Sequence, residues 1–210
     1  RSFPGVFPVL MSADGKEISD MVAEGALCIS KPWPGLARTI YNDHERYLQT
    51  YFSTYPGYYF TGDGAKRFDN GDFRIIGRID DVVNVSGHRI GTAEVEDVVN
   101  QHPCIVESAV IGAAHAIKGQ CIVAFVLCVS RKPEAQLLSE VNELITKRIG
   151  PIAKLEQLLV VEGLPKTRSG KIMRRVLRKA YEGDRASLGD ISTLVNPEVV
   201  DEIFTKCQKI

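Results

Sequence analysis

Three short segments contain residues whose types and spacing suit the binding of sugars and phosphates. The first is Tyr59-Phe60-Thr61-Gly62-Asp63-Gly64, a strand-like run leading into a glycine-flanked acid. An ionised carboxylate only accepts hydrogen bonds, so at a strand end it is suited to receive two sugar hydroxyls. Taken alone, the segment reads first as an ordinary Asp-Gly turn. The second is Gly77-Arg78-Ile79-Asp80-Asp81, followed closely by Val85-Ser86-Gly87-His88-Arg89-Ile90-Gly91. Its plain reading is a surface ion pair and a glycine-rich loop. The third, Leu164-Pro165-Lys166-Thr167-Arg168-Ser169-Gly170-Lys171-Ile172-Met173, contains Gly-Lys but is not a Walker A loop. Gly163 and Gly170 are wrongly spaced, and Ile172 stands where a Mg²⁺-binding Ser or Thr is required. A lysine is a compact point charge on a long stem, and on a loop that excludes water it stabilises negative charge gathering at phosphorus. A lysine chosen at random is simply solvated.

The elements that must carry these segments divide the chain. Val6–Met11 and Ala26–Ile29 read as short strands separated by turn residues at Ser12-Ala13-Asp14-Gly15. Asn42 or Asp43 is placed to cap a helix through about Tyr51, and Asp69-Asn70-Gly71 predicts a hairpin between Tyr58–Phe60 and Phe73–Ile76. Beyond Asp81 strands and helices alternate. Thr92 is expected to cap a helix to about Gln101, and Ile105–Ile111 returns as a strand. Cys121–Val129 reads as a central strand, and a helix follows Pro133 up to Gly150-Pro151. Leu158–Val161 is a further strand, a basic segment spans Pro165–Ala180, and a last helix is expected to be capped near Asn196. The boundary falls at about Asp80.

Composition narrows the function classes. Residues are 44% hydrophobic and 25% charged, and 26 Lys+Arg balance 26 Asp+Glu, so no charge excess points to nucleic acid or a membrane surface. The block Lys166, Arg168, Lys171, Arg174, Arg175, Arg178 and Lys179 would suggest nucleic-acid binding elsewhere, but it lacks interleaved aromatics. No apolar run reaches the roughly 18 residues of a membrane span. Arg1-Ser2-Phe3-Pro4 does not read as a signal peptide, and a start at Arg1 suggests a fragment. Five cysteines without a C-x-x-C pair fit a reducing cytoplasm. Four scattered histidines do not predict a structural zinc site.

In their order along the chain, the Tyr-x-Thr-Gly-Asp, Gly-Arg-x-Asp-Asp, Ser-Gly-His-Arg-Ile and Pro-Lys-Thr-Arg-Ser-Gly-Lys segments resemble the late core motifs of the adenylate-forming superfamily. Pro32-Trp33-Pro34-Gly35, Asp43-His44-Glu45-Arg46-Tyr47, His115-Ala116-Ile117-Lys118-Gly119-Gln120, Ile149-Gly150-Pro151-Ile152-Ala153 and Leu188-Gly189-Asp190-Ile191-Ser192-Thr193 resemble the acetyl-CoA synthetases within it. The resemblance covers nearly the whole chain. It implies an α/β (α+β) fold class, with residues 1–79 as the β-rich end of a large ATP-binding domain and 80–210 as a small mobile domain with a tail.

The activity implied is an AMP-forming ligase that joins acetate to CoA through acetyl-adenylate, using ATP with Mg²⁺. A longer acyl group such as propionate is the alternative, because the acyl pocket of such enzymes lies in sequence before Arg1; the 210 residues alone are then expected to be inactive. By the resemblance Asp63 holds the ribose hydroxyls, Arg78 and Arg89 reach toward the nucleotide, Asp80 is the hinge and Lys171 is catalytic in adenylation. Ser86 and Gly87 line the path of the CoA pantetheine, and the backbone at Asn100, His102 and Ile105 matches a metal position. Acetylation of Lys171, reversed by a deacetylase, is a further implication. A CoA-contacting arginine of the family falls on Thr146, with Lys147 or Arg148 as substitutes.

Overall fold

The computed structural model describes residues 2–130 and 132–208, so Arg1 and Ile210, the outer ends of the two expected segments, lie outside the described residues. The chain divides into two compact units, Arg1–Asp80 and Asp81–Ile210.

The first unit is a four-stranded antiparallel sheet in the order β1 (Pro8–Met11), β2 (Ala23–Ile29), β3 (Tyr59–Arg67), β4 (Phe73–Arg78). Side chains alternate across it: Leu10, Leu27 and Ala65 are buried in one cluster, while Met11, Ala26, Cys28 and Tyr55 are buried in another. Helix α1 (His44–Phe52) begins where the Asp43 side chain accepts the Arg46 N–H at 3.0 Å. The expected Asn70-Gly71 turn joins β3 to β4, with Gly71 at φ 78°.

One expectation is corrected here. Asp63 is not at a strand end; β3 continues through it to Arg67. Gly62, at φ 80°, and a register shift between Gly64 and Ala65 let the strand pass the acid with a local kink. The flanking glycines therefore mark an irregular strand rather than a turn.

The second unit is a mixed sheet covered on both faces. β5 (Val82–Val85) and β6 (His88–Gly91) form a hairpin, and β7 (Ile105–His115) pairs antiparallel with β8 (Gly119–Cys128) along its length. On its other side β8 meets β5 at Gly119 and, in parallel, β9 (Leu155–Val160). The nearly continuous apolar run of β8 has a simple cause. Ile122, Ala124 and Val126 face α2 (Thr92–Val99) and α3 (Glu134–Arg148), while Cys121, Val123 and Phe125 face α4 (Arg174–Tyr181) and α5 (Glu198–Cys207).

Three local expectations differ from the structure. Val85–Gly91, read as a glycine-rich loop, belongs to the β5–β6 hairpin, whose two-residue tip, Ser86 at φ 49° and Gly87 at φ 86°, has the paired positive angles of a tight turn. Thr92 is the first helical residue and is buried; the cap position is Gly91. Asn196 does not cap α5, which starts after Pro197; its side chain accepts the Lys166 N–H at 3.2 Å and donates to the Leu164 carbonyl at 3.0 Å.

Candidate functional site

In the first unit the β3–β4 register sets Asp63 opposite Arg78. Thr61 Oγ1 donates to the Leu27 carbonyl (2.9 Å) and accepts the Asp63 N–H (3.1 Å), which fixes the backbone before the acid. The Arg78 guanidinium folds back over Gly62. Its Nη1 donates to the Thr61 carbonyl at 3.0 Å and lies 3.6 Å from Asp63 Oδ1, and its Nε donates to Asp80 Oδ1 at 3.1 Å. Among the described residues no group hydrogen-bonds to the Asp63 carboxylate, whose side chain is 31% exposed, so its oxygens are open to hydroxyl donors. The structure thus brings Asp63, Arg78 and Asp80 together.

In the second unit Lys171 sits on a tied loop. Gly170, at φ 80°, closes a turn in which Thr167 O accepts the Gly170 N–H (2.8 Å), Thr167 N–H donates to Lys171 O (2.9 Å) and Thr167 Oγ1 accepts the Lys171 N–H (3.2 Å). The base is held by Val195 N–H to Lys166 O (2.9 Å) and Met173 N–H to Pro165 O (2.8 Å). The two lysines of the segment differ. Lys166 Nζ is 2.6 Å from Glu107 Oε2, whereas Lys171 is exposed and, among the described residues, its ammonium has no carboxylate partner. A free cation on a braced loop is able to meet an external anion; a paired one is already neutralised.

Most of the basic block is likewise engaged within the unit. Lys179 pairs with Glu182 and Asp184, each at 3.0 Å, Arg175 donates to the carbonyls of Leu188 and Asp190, and Arg174 pairs with Glu96. Such an arrangement presents no continuous cationic stripe of the kind that tracks phosphates.

The Glu96–Arg174 pair is the feature that reading the sequence missed. Arg174 Nε and Nη2 lie 3.1 and 2.9 Å from Glu96 Oε1, Nη2 lies 2.7 Å from Oε2, and Oε1 also accepts the Val110 N–H at 2.7 Å. Glu96 is only 9% exposed. A signal existed: Glu96 lies on the α2 face that buries Thr92, Val95 and Val99, and a carboxylate there needs a cation.

The other expected residues fall elsewhere in the unit. Ser86 and Gly87 form the tip of the β5–β6 hairpin, tied by Ser86 N–H to Lys118 O at 2.9 Å, and Arg89 is exposed on β6. No hydrogen bond or ion pair among the described residues joins them to Lys171. Thr146, on α3, donates to the Asn142 carbonyl (2.7 Å) and lines a shallow groove with Lys147 and Lys154. Asn100 and His102 lie in the turn between α2 and β7 and Ile105 is the first residue of β7; the His102 carbonyl accepts the Ile105 N–H at 2.9 Å. The His102 ring, 5% exposed, contacts Glu140 Oε2 at 2.8 Å. Among the described residues no three His, Cys, Asp or Glu side chains converge on a metal position, and none of their helices is long and apolar enough to cross a membrane. The five cysteines are unbridged, and burial pushes the Cys28 thiol up to about 12 and Cys207 up to about 11.

The chain has relatives among known proteins. Residues 94–171 match the AMP-binding enzyme C-terminal domain. The chain is 54% identical over 207 residues to an acetyl-coenzyme A synthetase of Vibrio vulnificus, covering 98% of this chain and 32% of that protein. It is 48% identical over 210 residues to the human acetyl-coenzyme A synthetase 2-like, mitochondrial, covering 100% of this chain and 30% of that protein. Among solved structures, acetoacetyl-CoA synthetase from Streptomyces lividans superposes with a TM-score of 0.81 at 25% identity, over 98% of this chain and 31% of that one. ATP-bound MatB from Rhodopseudomonas palustris gives 0.66 at 26%, over 86% of this chain and 35% of that one. The chain spans about a third of the length of the curated relatives it matches. The match to that domain ends at Lys171, and the identity to the acetyl-coenzyme A synthetases extends through both units, so nearly the whole chain is similar to part of those enzymes.

Proposed function

We propose that these residues form part of an AMP-forming acetate–CoA ligase. ATP and acetate give acetyl-adenylate and pyrophosphate, and CoA then takes the acetyl group and releases AMP. The observation that carries this reading is Lys171, exposed and without a carboxylate partner among the described residues, on a loop braced at both sides, beside a second lysine held by Glu107. In adenylation the Lys171 ammonium meets the acetate carboxylate and the α-phosphate and offsets their repulsion. Asp63 receives the two ribose hydroxyls, with Arg78 beside it; Arg89 reaches the nucleotide.

Asp80 is the hinge between the end of the large domain, residues 1–79, and the small mobile domain, 80–210. After adenylation the small domain turns about it and brings the Ser86-Gly87 tip to the pantetheine arm. Lys147 and Lys154, on the groove that Thr146 lines, serve the CoA phosphates in place of the family's arginine. Mg²⁺ would accompany the ATP phosphates and offset their charge, and the backbone at Asn100, His102 and Ile105 would hold a second cation. The exposure of Lys171 also suits it to acetylation and its removal by a deacetylase. The unbridged cysteines support a cytoplasmic location. The test is acetate-dependent ATP–pyrophosphate exchange, followed by CoA-dependent AMP release, in an enzyme carrying these 210 residues. Exchange that does not depend on any short carboxylate would refute the reading.

A further inference from the structure

We propose that Arg174 is the positioning residue of the Lys171 loop. The inference rests on the reading of Lys171 as the adenylating cation. Arg174 is the first residue of α4, three positions beyond Lys171, and so stands where the loop leaves for the helix. The incoming side of the loop is anchored by Lys166 on Glu107 and by Asn196 on the Lys166 N–H. On the outgoing side the anchor is the Arg174 guanidinium. It reaches Glu96 through Nε and Nη2, and its Nη1 lies 3.7 Å from Asp81 Oδ2.

Glu96 is itself fixed. It belongs to α2, it is 9% exposed, and its Oε1 takes the Val110 N–H of β7 at 2.7 Å. The guanidinium therefore links the loop exit to a helix, to the central sheet, and to Asp81, the first residue of the second unit. A planar fork on a carboxylate sets direction as well as distance, which a single ammonium cannot do. Among the described residues the hydrogen bonds of Lys171 are those of its backbone with Thr167, so the placement of its stem follows the loop that the two anchors hold. Tilting the exit would displace the ammonium without removing it.

The variants Arg174→Lys, which keeps the charge and loses the fork, and Glu96→Gln, which keeps the shape and loses the charge, test this in an enzyme carrying these residues. Lys171→Ala is the reference. Acetate-dependent ATP–pyrophosphate exchange, thioester formation from supplied acetyl-adenylate and CoA, and thermal melting are measured on the same preparations. A displacement of about 1 Å is expected to lower kcat of exchange by about tenfold to a hundredfold, with KM for ATP and acetate nearly unchanged. Thioester formation should stay within about twofold of wild type, and the double variant should be little worse than either single one. Loss of exchange in Lys171→Ala, but retention in Arg174→Lys and Glu96→Gln, overturns the positioning role alone. Equal loss of both half-reactions with early melting in both variants also overturns it, since that is what a merely structural pair would give. Retention of exchange in Lys171→Ala overturns the underlying reading and this inference with it.

Discussion

The Arg78 guanidinium occupies the space above Gly62 where a side chain would begin: a Cβ built there would lie 2.6 Å from Nη2 and 2.7 Å from Cζ. Gly62 also has φ 80°. Two separate costs therefore meet at Gly62→Ala, one from the backbone and one from displacement of Arg78. The backbone part is about 1–2 kcal/mol. We expect Gly62→Ala to lower the melting temperature and to raise KM for ATP, because Arg78 loses its place beside Asp63 and the Thr61 carbonyl. In an Arg78→Ala background the same change should cost only the backbone part. Additive effects in this double-mutant cycle, within about 0.5 kcal/mol, would show that the contact is unimportant.

The Ser86-Gly87 tip gives a different contrast. A Cβ on Gly87 meets nothing within 4 Å, so within the second unit the glycine is required by its φ of 86° and not by crowding. Asn tolerates positive φ and still adds a side chain. If the tip approaches the pantetheine arm, Gly87→Asn should keep the melting temperature and the exchange reaction while slowing acetyl-CoA formation at least tenfold, and Gly87→Leu should add a loss of stability. Acetyl-CoA formation at the wild-type rate in Gly87→Asn would remove Gly87 from the CoA path.

Glu140 gathers three partners: Lys132 Nζ and His102 Nε2 each at 2.8 Å on Oε2, and Gln136 Nε2 at 2.8 Å on Oε1. The Lys132 hydrogen bond first, then those of Gln136 and His102, hold its carboxyl down at about 2, below the ordinary 4.5. A depressed carboxyl stabilises the fold where it is ionised in both states, above 4.5. That contribution is lost as pH falls through 4.5 toward about 2. Urea unfolding of Glu140→Gln should therefore show a deficit against wild type at pH 7 that shrinks steadily below pH 4.5. A deficit independent of pH would mean that the group acts by shape alone.

What the sequence made visible follows from the range over which each signal acts. The β8 strand was legible because a strand buried on both faces is apolar at nearly every position, and the Asn70-Gly71 turn because glycine readily takes the positive φ that Gly71 adopts there. Val83 and Val85 of the β5–β6 hairpin were obscured by the Ser86-Gly87 pair, which reads equally as a flexible loop. Lys171 was legible only as part of an ordered set of motifs, since no local property separates it from Lys166; the difference is Glu107, fifty-nine residues away in sequence. Glu96 and Arg174 are seventy-eight residues apart, and the pairing of one particular acid with one of seven basic residues is fixed by tertiary packing.

The central claim is that Lys171 supplies the cation for adenylation and not for thioester formation. Lys171→Ala, placed in an enzyme carrying these residues, tests it when both half-reactions are followed on one preparation. ATP–pyrophosphate exchange with acetate should fall by about a hundredfold to a thousandfold, the usual cost of deleting one transition-state donor. Acetyl-CoA formation from supplied acetyl-adenylate should remain within about threefold of wild type, because by then the α-phosphate charge no longer has to be gathered. Exchange at the wild-type rate, or a parallel fall in both half-reactions at an unchanged melting temperature, would contradict the assignment.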